Sequence, residues 1–408
     1  MSIYGGPNII NDGLILYLDT GNIKSYAGEP TTNFSQQISN YTGSNYAGGA
    51  EWSSDPTRFS KTHQPSIATP IGFGATLCSE TATAGFYHLS GMGGGSESGE
   101  HSISCYIYPL SSITNFTIGL LGDGSNMITF NFVAGTITYG GGISNRNAFM
   151  NMVVGFPGWY RVGANIEGRF GGWVGCIGLS TNTTYTPISP YKSFYITGLQ
   201  YEYKTHCTPY VFGTRSNTQG LFDLAAANTL DLTNSTFNNN AQITFNGSGN
   251  YITTPTINLG NTFTVSAWFN SSDVNADTTI VGTDANGCDN WLGVSGGYLY
   301  GFVTQTADVN NFTFSGATTL SNNKWYHTSI VVNGNTATLY LNGKQDYTTT
   351  TAFTIGAWNG TFSIGRRCPS VAQRFFNGKI DIVSMCTRSL TASEILRNYN
   401  AVKSRFGL

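Results

Sequence analysis

Charged side chains are scarce in this chain. Of its 408 residues only 10% are Asp, Glu, Lys or Arg, against about 25% in typical soluble domains. The 19 Lys and Arg residues are scattered without a run. Nucleic acids and anionic membrane surfaces are both bound through clustered positive charge. We therefore expect no nucleic-acid partner and no electrostatic attachment to a membrane.

Long apolar runs are also missing. No stretch approaches the roughly 18 to 20 residues that span a bilayer, so membrane insertion is not expected. The segment Met1–Gly13 has neither the basic start nor the apolar core of a signal peptide. This predicts that the chain does not use the secretory route.

Cysteine is present in an odd number and at wide spacing. None of the seven cysteines belongs to a CxxC motif or a Cys/His ligand pair. The spacing therefore disfavours a disulfide framework and a zinc site. Free thiols buried among apolar residues are expected instead.

What the chain does contain is typical of an antiparallel β-sandwich. Short alternating runs are separated by Gly, Asn, Ser and Pro, and the chain has 51 glycines and 13% aromatic residues. Turns are predicted at Asn333-Gly334 and Asn342-Gly343, since both residue types tolerate positive φ. The predicted strands are Leu14–Leu18, Ser102–Tyr108, Met127–Val133, Trp159–Ala164, Ser193–Leu199, Thr262–Phe269, Tyr298–Val303, Trp325–Val332, Thr336–Leu341, Thr361–Ile364 and Lys379–Met385.

A single C-terminal helix is predicted. Thr391 and Glu394 have the spacing of a capping box, in which the two side chains satisfy backbone donors at the helix start. Ile395, Tyr399 and Val402 then recur at helical spacing, and Gly407 is a plausible terminator. The predicted fold class is all-β with this helix packed on a sheet.

From Leu221 onward the sequence resembles the laminin-G-like, concanavalin-A-like jelly-roll family. The motifs that carry the resemblance are Ile243–Gly247, Phe263–Trp268, Lys324–His327, Thr338–Lys344, Phe362–Gly365 and Phe376–Ile382, followed by the terminal helix. The resemblance implies an antiparallel jelly roll.

The two ends of the chain are similar to those of structural proteins of marine bacteriophages. Asp12–Asp19 resembles the opening jelly-roll strand of these proteins, and the segment from Asn398–Asn400 to Arg405–Leu408 resembles their ending. This implies one jelly roll formed by residues 1–29 and 215–408, with residues 30–214 inserted as a second β-sandwich. The insertion resembles carbohydrate-binding modules of phage fibres at Gly158–Arg161 and Ile196–Glu202.

Catalytic machinery is not evident in the sequence. The glucanases of the jelly-roll family need two carboxylates at fixed separation, and no Glu-x-Asp or Glu-x-x-x-Glu strand motif occurs. A nucleophile elbow and a phosphate-binding loop are also missing. We therefore predict no catalytic residues and no enzyme activity. A polysaccharide depolymerase is the enzymatic alternative, and it would need carboxylates from distant segments, such as Asp123 and Glu167.

Glycans are bound through aromatic rings flanked by hydroxyl and amide groups. Trp358 lies in the turn Gly356–Gly360 and is predicted to be exposed and to contact a glycan. Trp52 and Trp173 are the corresponding predictions in the insertion.

Calcium is the one metal that the resemblance suggests, because many laminin-G-like domains hold this ion at their rim. Carboxylate and amide oxygens that suit the ion occur at Asp273, Asn275, Asp277, Asp284 and Asp289. The segment that is often acidic in the family is neutral here, from Asn246 to Tyr251. Structural turns are the alternative interpretation, and otherwise no cofactor is expected.

Together these features predict a non-enzymatic structural protein on the exterior of a bacteriophage virion, as a capsid decoration or as part of a head or tail fibre. We expect it to be made in the host cytoplasm, to form a homo-oligomer and to contact other capsid or tail proteins. Adhesion to host or environmental glycans is the expected activity. A capsid or tail cement protein without any ligand is the alternative.

Overall fold

The computed structural model describes residues 9–33, 59–72, 74–81, 87–90, 98–110, 113–120, 127–140, 146–169, 175–180, 193–226, 228–288, 290–306, 309–368 and 370–408. Trp52, Trp173, Asp123 and Asp289 lie outside these residues, and the side chain of Glu167 is also outside the described part.

Strands dominate the described structure. The first fourteen are β1 (Leu14–Asp19), β2 (Thr31–Thr32), β3 (Phe59–Gln64), β4 (Ala75–Glu80), β5 (Tyr87–Ser90), β6 (Ser98–Pro109), β7 (Asn115–Leu120), β8 (Met127–Asn131), β9 (Thr136–Tyr139), β10 (Phe149–Met152), β11 (Tyr160–Arg169), β12 (Gly175–Ser180), β13 (Ser193–Glu202) and β14 (Thr214–Arg215). The next fifteen are β15 (Leu221–Phe222), β16 (Thr229–Leu230), β17 (Thr236–Phe237), β18 (Ile243–Asn246), β19 (Ile252–Asn258), β20 (Thr262–Ser271), β21 (Thr278–Thr283), β22 (Asn290–Ser295), β23 (Tyr298–Thr306), β24 (Val309–Ser315), β25 (Trp325–Asn333), β26 (Thr336–Leu341), β27 (Lys344–Thr350), β28 (Asn359–Ile364) and β29 (Asn377–Cys386).

One α-helix, α1 (Ala392–Val402), occurs in the described part of the chain, and short 3-10 helices form at Ala285–Cys288 and Lys403–Phe406. The Thr391 hydroxyl accepts the Glu394 N–H, and the Glu394 carboxylate accepts the Thr391 N–H at 2.8 Å. These bonds satisfy donors that the first helical turn leaves open. The predicted all-β fold with a C-terminal helix is confirmed.

The chain forms two compact units. Unit 1 comprises Met1–Pro30, Ser216–Asn238 and Gln242–Leu408, and unit 2 comprises Thr31–Arg215 and Asn239–Ala241.

Unit 1 is a sandwich of two antiparallel sheets. The first has the order β17-β18-β29-β20-β25-β26-β27, with β1 also paired to β29, and the second has the order β19-β28-β21-β22-β23-β24. Side chains from alternate positions of both sheets fill the space between them, including Phe263, Val265, Leu292, Leu299 and Ile330. Because successive strand residues point to opposite faces, the other positions form the outer faces of the sandwich.

The C-terminal segment covers the outer face of the first sheet. Trp268 on β20 is 2% exposed, and its ring stacks on Phe406 at 4.1 Å and on Tyr399 at 5.6 Å. Ile382 of β29 and Val402 of α1 belong to the same apolar cluster as Trp268. The second sheet therefore supplies the other outer face of this sandwich.

Unit 2 also consists of two antiparallel sheets. Their strand orders are β10-β11-β6-β13-β4-β3 and β5-β12-β7-β8-β9, and the core includes Cys105, Phe116, Phe130 and Phe194. A buried carboxylate, Glu202, accepts hydrogen bonds at 2.6 Å from the hydroxyls of Thr31 and Thr208. Thr31, where the chain enters unit 2, pairs with Arg215, where the main segment of the unit ends, so the bond from Thr31 to Glu202 fixes both at the same place.

The cysteines differ in part from expectation. Cys78, Cys105, Cys207 and Cys386 are free thiols, as predicted, and burial raises the pKa of Cys386 to about 11. Cys368 instead is disulfide-bonded, so the prediction of a free thiol there is wrong. A disulfide between residues that are far apart in sequence leaves no spacing motif, so the sequence carries no sign of it.

Candidate functional site

The outer face of the second sheet of unit 1 carries a row of aromatic side chains. Trp291 on β22 pairs with Phe302 on β23, and Tyr298 and Tyr300 occupy the preceding alternate positions of β23. Their strand neighbours Leu292, Val294, Leu299 and Val303 belong to the core. Strand alternation therefore places Trp291, Tyr298, Tyr300 and Phe302 on the outer surface, which we call the aromatic face.

Ring stacking orders this face. The ring centroid of Trp291 lies 5.0 Å from that of Tyr300 and 5.8 Å from that of Phe302, with interplanar angles of 20° and 13°. Trp291 is 1% exposed and Tyr298 is 36% exposed, whereas Tyr300 and Phe302 are half-buried. The tryptophan thus supports the neighbouring rings, and the tyrosines offer contact surface.

Hydroxyl groups border the aromatic face. On β24, Ser315 pairs with Tyr300 and Thr313 pairs with Phe302, and both polar residues are exposed. Directly paired residues of an antiparallel ladder lie on the same side of the sheet. On the opposite flank, the Ser295 hydroxyl donates to the Asp277 carboxylate. Donors and acceptors are therefore available on both sides of the rings.

Residues 365–368 and 370–376, which we call the wall segment, lie across β21 at one side of the aromatic face. Gly282 of β21 allows this approach, since a Cβ there would be only 1.7 Å from the Arg367 carbonyl oxygen. The Thr279 N–H donates to the Arg374 carbonyl at 2.9 Å. The disulfide-bonded Cys368 is part of the segment. These contacts fix the wall segment against the sheet.

Arg374 joins the wall segment to the aromatic face. Its guanidinium carbon lies 4.7 Å from the Trp291 ring centroid, and Nη1 is 2.7 Å from the Asp277 carboxylate. The Ser295 hydroxyl and the guanidinium both hold the pKa of Asp277 below its usual range. Asp277 is therefore ionised at neutral pH and accepts hydrogen bonds.

Trp358 does not occupy the predicted surface position. It is fully buried, and its ring centroid is 4.6 Å from that of Phe263 in the core. The Leu259 N–H donates to the Trp358 carbonyl and the Trp358 N–H donates to the Gly260 carbonyl, so the turn is tied to the β19–β20 connection with its ring inward. The prediction of an exposed ring is wrong. The predictions for Trp52 and Trp173 fall outside the described residues.

The proposed calcium ligands are not brought together. Asp277 immediately precedes β21 and Asp284 immediately follows it, and a strand of this length spans about 20 Å. The Asp273 carboxylate accepts the Asn275 N–H, and the Asp284 carboxylate accepts the Thr361 N–H at 2.8 Å. Among the described residues, no three His, Cys, Asp or Glu side chains are placed to hold a metal. The contact between Asp273 and Asn275 is that of a structural turn, whereas Asp284 accepts from the backbone of β28 and Asp277 pairs with Ser295 and Arg374.

A pair of carboxylates comes together around Arg405 in unit 1, away from the aromatic face. Arg405 contacts Asp19 at 2.7 Å and Asp381 at 2.6 Å. Burial raises the pKa of Asp381, as the acid of a glycosidase pair would require. The guanidinium, however, bridges both groups, and the adjoining Phe406 is stacked on Trp268. This arrangement fixes the C-terminal segment and leaves no room for a sugar between the carboxylates.

Sequence reasoning missed the residues that form the aromatic face and its wall. The prediction of strand Tyr298–Val303 was correct in type, but Trp291 and Arg374 were not singled out. A usable signal was the alternation of Tyr298, Tyr300 and Phe302 beside a following strand with Asn311, Thr313 and Ser315.

Within the described part of the chain, no helix has the length and apolar character needed to cross a membrane.

Comparisons with known proteins give weak overall likenesses and one family match. The binding domain of botulinum neurotoxin serotype D is 18% identical over 46% of this chain and 49% of that chain, with a TM-score of 0.35. The serotype G binding domain is 16% identical over 46% and 49%, with a TM-score of 0.37. The binding domain of Paraclostridial Mosquitocidal Protein 1 is 19% identical over 44% and 49%, with a TM-score of 0.34. The matches span about half the length of these structures, and TM-scores this low do not bear on function.

No curated protein matches the sequence. Residues 246–396 match the family model described as the concanavalin A-like lectin/glucanases superfamily. The match covers less than half of the chain and includes the strands of the aromatic face. The resemblance to the concanavalin-A-like family is therefore confirmed for this segment.

Proposed function

We propose that this chain is a non-enzymatic, glycan-binding structural protein on the exterior of a bacteriophage virion, forming a capsid decoration or part of a head or tail fibre. It is made in the host cytoplasm, acts as a homo-oligomer with other virion proteins, and attaches the particle to host or environmental glycans. The aromatic face of unit 1 is the proposed binding surface.

The observation that carries the glycan-binding proposal is the aromatic face itself. Tyr298 and Tyr300 offer ring surface for the C–H groups of a sugar, and Thr313 and Ser315 offer hydroxyls beside them. Such a combination of apolar surface and a few placed polar groups is typical of ligand sites. Residues 246–396 match a family model whose description includes lectins, and this supports the same interpretation.

Replacing both tyrosines is expected to weaken glycan binding. The double variant Tyr298→Ala/Tyr300→Ala removes two stacking surfaces, each contributing about 0.5–1.5 kcal/mol, so we expect an approximately tenfold or greater loss of affinity. The measurement is a titration against the polysaccharide that gives the strongest signal for the wild type on a glycan array.

Tyr139→Ala is the matched control, because Tyr139 is 38% exposed and lies in unit 2. It should bind like the wild type. Equal binding by the double variant and the wild type would contradict the placement of the site, and a silent array would contradict glycan binding altogether.

The virion part of the proposal is supported by the resemblance of Asp12–Asp19 and Arg405–Leu408 to phage structural proteins. Immunogold labelling of intact particles, with an antibody raised against this chain, tests it by electron microscopy. Label on the head or on the tail is expected and distinguishes decoration from a tail fibre. Particles that carry no label would contradict the virion assignment. A clear halo on host polysaccharide would contradict the non-enzymatic assignment.

A cement protein without a ligand is the second candidate. In unit 2, Val133 is 79% exposed, Met152 is 62% exposed and Val154 is 92% exposed. Phe132 is adjacent to Val133 and Tyr160 pairs with Met152, and the rings of Phe132 and Tyr160 lie 4.9 Å apart. Exposed apolar groups of this kind favour contact with a neighbouring protein. Normal particle assembly with a Val133→Ser/Val154→Ser variant would count against this role.

A further inference from the structure

The side chain of Arg374 presents an unused hydrogen-bonding edge next to the aromatic face. Nη1 is taken by Asp277 at 2.7 Å, whereas Nε and Nη2 have no partner among the residues that the structure describes. The side chain is 32% exposed, so Arg374 is partly accessible to solvent. A guanidinium offers its donors as a planar fork, and a carboxylate fits that fork with two parallel bonds.

The position of this edge suits a ligand that also contacts the tyrosines. The Arg374 guanidinium is 4.7 Å and the Tyr300 ring is 5.0 Å from the Trp291 ring centroid. Both groups contact the same tryptophan ring, so the guanidinium carbon lies no more than 9.7 Å from the Tyr300 ring centroid. A saccharide of two or more units stacked on Tyr300 can span this distance and reach the guanidinium.

The backbone at Arg374 supports a specific use of this side chain. Its φ is +55°, in the left-handed region where Gly and Asn are favoured and long side chains are uncommon. Such outliers persist where the surrounding structure enforces them, and they cluster at binding sites. The wall segment holds this conformation through the Thr279–Arg374 backbone bond.

From these observations we infer that the aromatic face takes a carboxylate-bearing saccharide, with Arg374 binding the carboxylate through its Nε and Nη2 edge. The inference rests on the proposed glycan-binding function and names the ligand class for that same site. Asp277 holds the guanidinium in place by its other edge. It also places a negative charge close to the incoming carboxylate, which limits affinity for an acidic sugar.

The test compares two forms of the same polymer. Polygalacturonate and alginate are each titrated beside a derivative in which the carboxyl groups are reduced to hydroxymethyl groups. The wild type should bind at least one of the acidic polymers about tenfold or more tightly than its reduced form, since a charge-assisted pair is lost on reduction. Dextran sulfate serves as a control for charge alone and should bind less tightly than the carboxylated polymer.

Three variants test the inference, because they are expected to change binding of the acidic polymer in different directions. Arg374→Gln should abolish the preference for the acidic polymer over its reduced form. Arg374→Lys keeps the charge without the fork and should retain only part of the preference. Asp277→Asn should strengthen binding of the acidic polymer, because it removes the competing negative charge. If the Asp277–Arg374 pair had only a structural role, Arg374→Gln and Asp277→Asn would change binding of the acidic polymer in the same direction. Near-ultraviolet circular dichroism checks that the packing around Trp291 is intact in each variant.

The outcomes separate this inference from the function on which it rests. Binding of neutral glycans with no preference for carboxylates would overturn the inference and leave the function standing. Equal binding of dextran sulfate, or an unchanged preference in Arg374→Gln, would overturn it too. Failure of the wild type to bind any polymer or any array glycan would overturn both.

Discussion

Trp268→Ala is expected to lower the free energy of unfolding of unit 1 by about 3–5 kcal/mol, the usual range for removing a buried tryptophan. Trp268 is 2% exposed and lies between the first sheet and the C-terminal segment. Its ring stacks on Phe406 and Tyr399 with interplanar angles of 11° and 10°. The alanine variant leaves a cavity there and loosens α1 and the 3-10 helix together.

Urea denaturation followed by circular dichroism measures this loss. Ile23→Ala is the control, because Ile23 is 79% exposed and such surface substitutions usually change stability by less than about 0.5 kcal/mol. A loss below about 1 kcal/mol for Trp268→Ala would contradict the account of the C-terminal segment as a packed part of unit 1.

Acid is expected to destabilise unit 1 through His327. This residue is 3% exposed on β25, its ring lies 5.3 Å from that of Trp268, and it lines a cavity of about 20 Å³. Nδ1 has no hydrogen-bond partner in the described part of the chain. Burial lowers the pKa of His327 from 6.5 to about 3, because the charged imidazolium would lose its hydration.

The direction of the pH effect follows from this pKa. Between pH 6.5 and pH 3 the unfolded chain binds a proton at His327 and the folded chain does not, so stability falls as the pH is lowered through this range. Above pH 6.5 neither state is protonated and the contribution is constant. The full loss is of the order of 5 kcal/mol, at about 1.4 kcal/mol for each pKa unit.

His327→Phe removes the titrating group and keeps an aromatic ring at this buried position. Urea midpoints are measured for both proteins from pH 8 to pH 3. Groups such as Asp381 titrate in both, so the informative quantity is the difference between the two curves. The wild type should lose stability relative to the variant below pH 6.5. Parallel curves over the whole range would show that His327 is protonated equally in the folded and unfolded states.

Features set by neighbouring residues were predictable from the sequence. The capping box at Thr391 and Glu394 depends on two side chains three positions apart, and it forms as predicted. The strands in the concanavalin-A-like segment also follow from their alternation, with ends that differ by a few residues. Leu341 pairs with Lys344 across Asn342-Gly343, and both turn residues have positive φ.

The neighbouring turn shows the limit of such local reasoning. Asn333 pairs with Thr336, so the turn residues are Gly334 and Asn335, one position later than predicted. Gly334 has a φ of +64°, while Asn333 and Asn335 are not in the positive region. A turn with a single glycine can form in either of two registers of the β25–β26 pair. The observed register is the one that buries Ala337 and Leu339 on the apolar face of β26.

The exposure of aromatic residues could not be predicted, because it depends on which face of a strand meets the core. On β23 both alternating sets are apolar, and Leu299 and Val303 are the buried set. Within β23 itself nothing distinguishes them from Tyr298, Tyr300 and Phe302, and the distinguishing signal lies in the polar residues of the following strand, β24. For Trp358 the surrounding glycines indicate a turn, but the position of that turn against β19 and β20 decides where the ring points. The contact between Arg374 and Trp291 could not be predicted for the same reason, because it also depends on segments that are far apart in the sequence.

The most direct test of the central claim is hydroxyl-radical footprinting with mass spectrometry, with and without the glycan that binds most strongly on the array. Side chains covered by a ligand are oxidised more slowly. We predict that Tyr298 and Tyr300 become protected, and that Tyr139 and Tyr203, which are 38% and 45% exposed in unit 2, do not change. Protection of the unit 2 tyrosines alone, with Tyr298 and Tyr300 unaffected, would contradict the claim that the aromatic face is the binding site.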